Sequence, residues 1–343
     1  VHDVDQIDHE SAMGPAGRGL GFLWLELTNR CNLKCVHCYT ESHPGSGGRD
    51  IMTARDYESV MTQAYELGCR KIQFIGGEPQ ISPDFMRLLR YAKETGFEFV
   101  EVFTNLTRLT EETLGFATRH GVRFATSVYS RAPEAHDGVT GVRSSHVRTI
   151  KNLRRLITSG VETRAAVVDI RQDATAAEEA QRFLEDLGVG SVRTSRVREF
   201  GRGEALTGQQ GSMSALCGHC WNGKLCIAPD GLAYPCVMAR QWPVGNALTE
   251  TLARIVTGGE LRSTRKAIFE EAWLPRTPPP SAHCDPCPQS CDPDISSCPP
   301  NSHVCNPIAC PQSCSPQDWC GPPSCMPTPD IPQKETPKIL PKE

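Results

Sequence analysis

Three cysteines, Cys31, Cys35 and Cys38, stand in the stretch LELTNRCNLKCVHCY as C-x3-C-x2-C, with Tyr39 directly behind the last. Thiolate is the soft ligand that iron–sulfur clusters take. Three thiolates on one short loop can hold three irons of a [4Fe–4S] cube and leave the fourth open, which is a place for chemistry. A three-cysteine zinc site is the competing reading of the spacing. A second group, CGHCWNGKLCIAPDGLAYPC, carries Cys217, Cys220, Cys226 and Cys236, with Gly231 four intervening residues before Cys236. Residues 225–227 and 233–234 around Pro229-Asp230-Gly231 read as a β-hairpin that brings the flanking thiols together, and strand alternation lets only some of the four face one side.

Nine more cysteines, Cys284, Cys287, Cys291, Cys298, Cys305, Cys310, Cys314, Cys320 and Cys325, lie in a tail that repeats CPQSC at 287–291 and 310–314. From Pro275 onward the chain holds 19 of its 27 prolines. Proline fixes its own φ and removes an amide donor, so this tail is ordered by metal or docking or not at all. Auxiliary clusters, zinc, and a disordered segment with incidental thiols all remain open for it, and residues 326–343 read as a disordered tail.

The chain has 343 residues, about two domains' worth. Its net charge of -4 offers no footprint for sequence-independent nucleic-acid binding. No apolar run approaches 18 residues and the opening stretch has no signal-peptide core, so the expected location is cytoplasmic, with no membrane partner. Seventeen cysteines in a reducing compartment point to metal or redox chemistry rather than to disulfides.

From residue 23 to 195 short apolar runs alternate with stretches of helical period, the signature of βα units. The expected strands are 23–27, 72–75, 97–103, 122–128, 161–168 and 189–194. Helical spacing follows at Tyr57, Val60, Met61, Ala64 and Leu67, then at 85–91, 110–119, 146–158 and 176–187. Gly68, Gly96, Gly121, Gly160 and Gly188 punctuate the series where a helix ends and a strand begins. Six such units suit an incomplete barrel or a doubly wound sheet, and in both the ligand site lies at the carboxyl ends of the strands. The first cysteines follow the first strand. After the second comes GGEP, where Gly76 and Gly77 permit close backbone approach and Glu78 can accept from an ammonium group.

CNLKCVHCY followed one βα unit later by GGEP resembles the radical S-adenosylmethionine (radical SAM) enzymes, over roughly residues 20–240. The resemblance implies an α/β fold: a partial (β/α)6 TIM-like barrel over residues 21–200, behind a flexible 1–20. A small Cys-rich extension over 201–325 and the Pro-rich tail would follow it. It implies a [4Fe–4S] cluster on Cys31, Cys35 and Cys38, with SAM chelating the open iron. Tyr39, Gly76, Gly77, Glu78, Asn105 and Ser127 would contact SAM, with Thr104 beside them. Such a pair of cofactors yields a 5′-deoxyadenosyl radical that abstracts hydrogen from unactivated carbon. The form C-x(n)-G-x4-C from Cys217 to Cys236 is similar to the entry of the SPASM extension, which implies one or two auxiliary [4Fe–4S] clusters. Cys217, Cys236, Cys284, Cys287, Cys291 and Cys298 are the leading ligands, and Cys220, Cys226, Cys305, Cys310, Cys314, Cys320 and Cys325 the lesser ones. The spacing after Pro275 departs from the SPASM form.

The function this implies is a peptide maturase that installs a crosslink, thioether or oxidised side chain in a ribosomally made peptide. A flavodoxin- or ferredoxin-type donor would reduce it. Only 22 residues precede the first strand, so leader binding is expected from a separate protein or from the barrel mouth. Action on a small molecule such as a tetrapyrrole, as in haem d1 biosynthesis, and a non-enzymatic metal-holding protein are the alternatives. Asp169 at the end of the fifth strand and Arg198 after the sixth, with Arg196, are candidate acid/base or substrate residues. Cys69 reads as a small buried hydrophobe, and His37 as a hydrogen-bonding residue rather than a ligand.

Overall fold

Alternation along the first strand, β1 (Phe22–Glu26), sends Leu23 and Leu25 into the main apolar core and turns Trp24 and Glu26 to the other face. The same division recurs in β2 (Lys71–Ile75), β3 (Phe99–Phe103), β4 (Arg123–Val128) and β5 (Thr163–Asp169). Ile72 and Phe74, Val100 and Val102, Phe124 and Val128, and Ala165 and Val167 join the core, and their neighbours face away from it. The structure, a computed structural model, describes residues 19–276 apart from Arg171.

The core is closed by helices carrying matching apolar stripes: α1 (Ala54–Glu66), α2 (Phe85–Thr95) and α3 (Glu111–His120), then α4 (Pro133–Thr140), α5 (Ser145–Thr158) and α6 (Ala174–Asp186). Phe85, Leu88, Leu89 and Ala92 of α2 show the spacing that sets one buried face. Thr53 starts α1 with a capping box to Asp56. After β6 (Ser191–Arg196) come α7 (Arg202–Thr207), the strands β7 (Lys224–Ile227), β8 (Leu232–Tyr234) and β9 (Gly245–Asn246), and the helices α8 (Leu252–Thr257) and α9 (Gly259–Ala267).

All nine strands form one sheet in the order β6-β5-β4-β3-β2-β1-β7-β8-β9. Strands β1 to β6 run parallel, each beside its predecessor in sequence. Right-handed crossovers that always step the same way place every helix on one face, which is the winding of a barrel. A doubly wound sheet would reverse direction. The open partial barrel is therefore the architecture, and α1 to α6 leave its other, concave face to the cysteine loop and the segments after β6.

Strand β7 continues this sheet by pairing parallel to β1, with Trp24 opposite Cys226. It then turns back as the expected hairpin with β8. The sheet thus crosses the division at residue 200. Helices α4 and α7, strand β9 and helices α8 and α9 add to the expected elements. Among the described residues no helix is long and apolar enough to cross a membrane.

Candidate active site at the carboxyl ends of the strands

The loop that carries Cys31, Cys35 and Cys38 is gripped from three sides. On the first, the backbone of GGEP prolongs the β1–β2 ladder past the strand ends: Gly77 N donates to Thr28 O at 2.8 Å and Glu78 N to Arg30 O at 2.9 Å. A Cβ on Gly76 would lie 2.7 Å from Thr28 O, and one on Gly77 would lie 2.1 Å from Arg30 O. These glycines therefore admit the cysteine loop itself to the end of β2, a closer and more specific demand than room for a ligand.

On the second side, the carboxyl end of α4 offers its free carbonyls to the loop. Lys34 N donates to Thr140 O at 2.8 Å and Val36 N to Val139 O at 3.0 Å. Asp137 fixes this end of α4 by accepting from His146 N at 2.9 Å and Ser145 Oγ at 2.7 Å. On the third, Arg202 at the start of α7 donates from its backbone N to Cys38 O at 3.0 Å. Its guanidinium donates from Nε to Cys35 O and from Nη2 to Ser42 O, both at 2.8 Å. Gly201 lies so close that a Cβ there would sit 2.4 Å from Tyr39 O. Nothing in the local sequence announces Arg202 as part of the site.

All three thiols are free, and Cys31 is buried. Burial pushes the Cys31 and Cys35 thiols up to about 12, and the neighbouring thiols push the same way. Such a group demands a strong cation to become thiolate. Among the described residues no three His, Cys, Asp or Glu side chains converge on one metal ion. Thiolates on different irons of a cube stand farther apart than those sharing one zinc ion at about 2.3 Å. The donor set, all sulfur on a loop held in place by its backbone, fits a [4Fe–4S] cube. His37 in the same loop packs edge-on to Tyr129 at 4.9 Å, and burial lowers it to about 4, so its ring is neutral.

Glu78 lies beside this loop, buried, with its carboxylate already oriented. Thr104 Oγ1 donates to its Oε1 at 2.6 Å, Asn105 N to its Oε2 at 2.8 Å and Gln80 N to its Oε1 at 3.1 Å. Burial raises it to about 7 against those hydrogen bonds. The Asn105 side chain donates to Asn32 Oδ1 at 2.7 Å and approaches Cys31 Sγ at 3.7 Å, so it also braces the loop. Tyr129 is buried beside Cys35 and Ser127, and burial raises its phenol. Tyr39 donates to Glu26 Oε1 at 3.2 Å.

In the second group, Cys220 contacts Cys217 on one side and Cys236 on the other. The hydrogen bond from Cys220 lowers the Cys217 thiol, and Cys220 is raised in turn. Cys226 faces the concave side of β7, fully buried opposite Trp24, and only Cys236 of the three stands near it. The structure thus brings Cys217, Cys220 and Cys236 together and sets Cys226 beside them. Cys284, Cys287, Cys291, Cys298, Cys305, Cys310, Cys314, Cys320 and Cys325 lie outside the described residues.

Asp169 turns to the helix side of β5, where it accepts from Asp173 N at 3.1 Å. With Arg196, Glu199 and Thr207 it lines a cavity of about 280 Å³. Arg198 Nη1 donates to Ala215 O at 3.0 Å, a contact that fastens the following segment. Among the described residues no hydrogen bond joins either side chain to the cysteine loop. Cys69 is fully buried in the core and donates to Lys71 O.

The family model of the radical SAM superfamily matches residues 25–183, the stretch that builds this loop and its first two supports. Residues 25–183 belong to the radical SAM superfamily. The model of the SPASM iron–sulfur cluster-binding domain matches residues 217–288, beginning at Cys217. A radical SAM chain with a SPASM domain takes a [4Fe–4S] cluster, SAM and auxiliary iron–sulfur clusters. The chain is 24% identical over 301 residues to the antilisterial bacteriocin subtilosin biosynthesis protein AlbA of Bacillus subtilis, covering 78% of this chain and 64% of that one. It is 26% identical to the PqqA peptide cyclase of Gluconobacter oxydans over 53% of this chain and 50% of that one. It therefore spans between half and just under two-thirds of these relatives' lengths. Among solved structures, Streptococcus suis SuiB bound to S-adenosylmethionine superposes with a TM-score of 0.60 at 17% identity, covering 72% of this chain and 68% of that one. That likeness shows that the fold is shared.

Proposed function

We propose that this chain is a radical SAM enzyme that modifies a ribosomally made peptide, installing a crosslink, thioether or oxidised side chain. The observation that carries the reading is the three-sided grip on Cys31, Cys35 and Cys38 beside a buried, pre-oriented Glu78. Cluster and SAM together supply a 5′-deoxyadenosyl radical that takes hydrogen from unactivated carbon. Cys31, Cys35 and Cys38 would hold the cluster, and Glu78 would accept from the SAM amino group. Thr104, Asn105 and Gln80 keep that carboxylate aimed. Cys217, Cys220 and Cys236, with Cys226 and cysteines of the tail, would carry one or two auxiliary clusters. A peptide substrate is supported by the names of the relatives, a bacteriocin biosynthesis protein and a peptide cyclase, and by a solved complex of SuiB with its precursor peptide SuiA. A flavodoxin- or ferredoxin-type donor and a separate leader-binding protein complete the proposal.

The test is iron and sulfide content with EPR on anaerobically reconstituted protein, followed by an assay for 5′-deoxyadenosine. Wild type should hold about eight to twelve irons, and a C31A/C35A/C38A variant should lose about four of them together with all SAM cleavage. Zinc in place of iron, with no cleavage, would remove the enzyme reading.

Glu78 adds a pH signature. As an ionised group it only accepts, and that form is lost as pH falls through about 7. SAM affinity in wild type should therefore weaken by up to roughly tenfold per unit below pH 7. In E78Q it should be weaker throughout and nearly flat over the same range. Isothermal titration of SAM between pH 6 and 8 reads both.

A further inference from the structure

The concave face of the sheet carries a charged group that the cofactors do not use. Glu101 on β3 is 3% exposed, and its carboxylate receives Arg164 of β5 in a fork. Arg164 Nε donates to both oxygens at 3.0 Å and Nη2 to Oε2 at 2.6 Å, while Gln73 Nε2 of β2 donates to Oε2 at 2.7 Å. Arg164 itself is 42% exposed, and its guanidinium stands 5.6 Å from the Phe103 ring centroid. Nε and one hydrogen of Nη2 engage Glu101. The opposite edge, formed by Nη1 and the second hydrogen of Nη2, finds no hydrogen-bond partner among the described residues.

Arg164 stands on the strand beside the one that carries Ser127. Arg164 lies opposite Ala125 of β4, and Ser127 lies opposite Ala166 of β5. Two residues of rise, about 7 Å, separate the level of Arg164 from that of Ser127. Ser127 lies near Tyr129, which is a neighbour of Cys35. Replacing a buried ion pair by apolar residues is often neutral or stabilising, so fold stability alone gives no reason to keep one here. Glu101 does something else: it locks a planar guanidinium so that its second edge points into the concave face at little entropic cost.

We propose that Arg164, held by Glu101 and Gln73, is the carboxylate-binding residue of the substrate site, taking an acidic side chain or a free C-terminal carboxylate of the peptide. This rests on the peptide-modifying reading above.

The experiment uses full-length, cluster-reconstituted protein and three pentapeptide probes: acetyl-Ala-Ala-Glu-Ala-Ala-amide, the same peptide with Gln for Glu, and acetyl-pentaalanine with a free carboxyl terminus. Dissociation constants come from saturation-transfer NMR in the presence of SAM. At least one carboxylate peptide should bind wild type about tenfold tighter than the Gln peptide, a charge-assisted hydrogen-bonded pair's worth. Which of the two does so separates side chain from terminus. In R164Q the three should bind within about twofold of one another. The double variant E101Q/R164Q should behave as R164Q does, and because it leaves no buried charge unpaired it separates lost recognition from lost folding. Equal binding of all three peptides to wild type, or a preference that survives in R164Q, overturns the proposal. So does a loss of SAM affinity in R164Q with the peptide preference intact, which would assign Arg164 to the SAM carboxylate. Failure of the enzyme reading shows separately, as absent iron and absent 5′-deoxyadenosine.

Discussion

Replacing Gly77 by alanine should empty the first cluster site. The added Cβ would lie 2.1 Å from the carbonyl oxygen of Arg30 and 2.6 Å from its carbonyl carbon. Both are backbone atoms, so no side-chain rotation relieves the overlap. The cysteine loop must lift off the end of β2, and the hydrogen bonds from Gly77 N to Thr28 O and from Glu78 N to Arg30 O go with it. Two buried backbone hydrogen bonds at about 1 kcal/mol each, with the strain of the displaced segment, amount to roughly 2–5 kcal/mol. Function should suffer more than stability, because a cluster ligand moved by about 1 Å is no longer placed for its iron. The expected result for G77A is reconstituted protein with about four fewer irons than wild type and no 5′-deoxyadenosine, melting several degrees lower. G121A is the control, since a Cβ at Gly121 meets nothing within 4 Å and bears only the strain of φ 63°. If G77A loads iron as wild type does, the loop is seated some other way.

The contrast between those two glycines shows what the sequence makes legible. Gly68, Gly96, Gly121, Gly160 and Gly188 all have positive φ, and each marks a helix end that local pattern alone locates. The six strands are equally readable because alternation is a local property, and their ends shift by only one or two residues from expectation. Contacts between distant segments are different. Arg202 reaches Cys35 and Ser42 across more than 150 residues, and neither its type nor its neighbours mark it. Helix α4 is short and contains Gly138, so propensity does not favour it; it is held by Asp137 and by what its last carbonyls bind. GGEP is visible as a motif, yet only coordinates show that its glycines face the cysteine loop. Ser127 stands at the end of β4, where a SAM contact was expected, with Tyr129 near it. Strand β7 reads as half of a hairpin, whereas its partnership with β1 depends on an apolar match that no spacing encodes.

The pairing of β7 with β1 sets up the second large effect. Beside it, Arg240 from the loop after β8 forms an ion pair with Glu26 at the end of β1, and Tyr39, next to Cys38, donates to the same carboxylate. Glu26 is 1% exposed. Burial raises its carboxyl, and Arg240 is the largest influence holding it down. Removing Arg240 leaves a buried carboxylate with one phenol for company, so R240A should destabilise the chain by about 3–5 kcal/mol. At about 2–4 °C per kcal/mol for a domain of this size, the melting temperature falls by roughly 6–20 °C. The loss depends on pH in a definite direction. With Arg240 gone, the folded-state carboxyl rises further above its unfolded value, so the folded chain binds more protons than the unfolded one, and stability falls as pH rises. The deficit of R240A should be smallest near pH 5 and largest near pH 8. The double variant E26Q/R240A removes the charge that suffers and should recover most of the loss, with no pH slope of its own. A deficit in R240A that is independent of pH and unrelieved by E26Q would show that the arginine acts through its packing on Tyr234 rather than through Glu26. The pH slope and its rescue therefore identify Glu26 and Arg240 as the charge pair that ties the SPASM segment to the strand feeding the first cysteine loop.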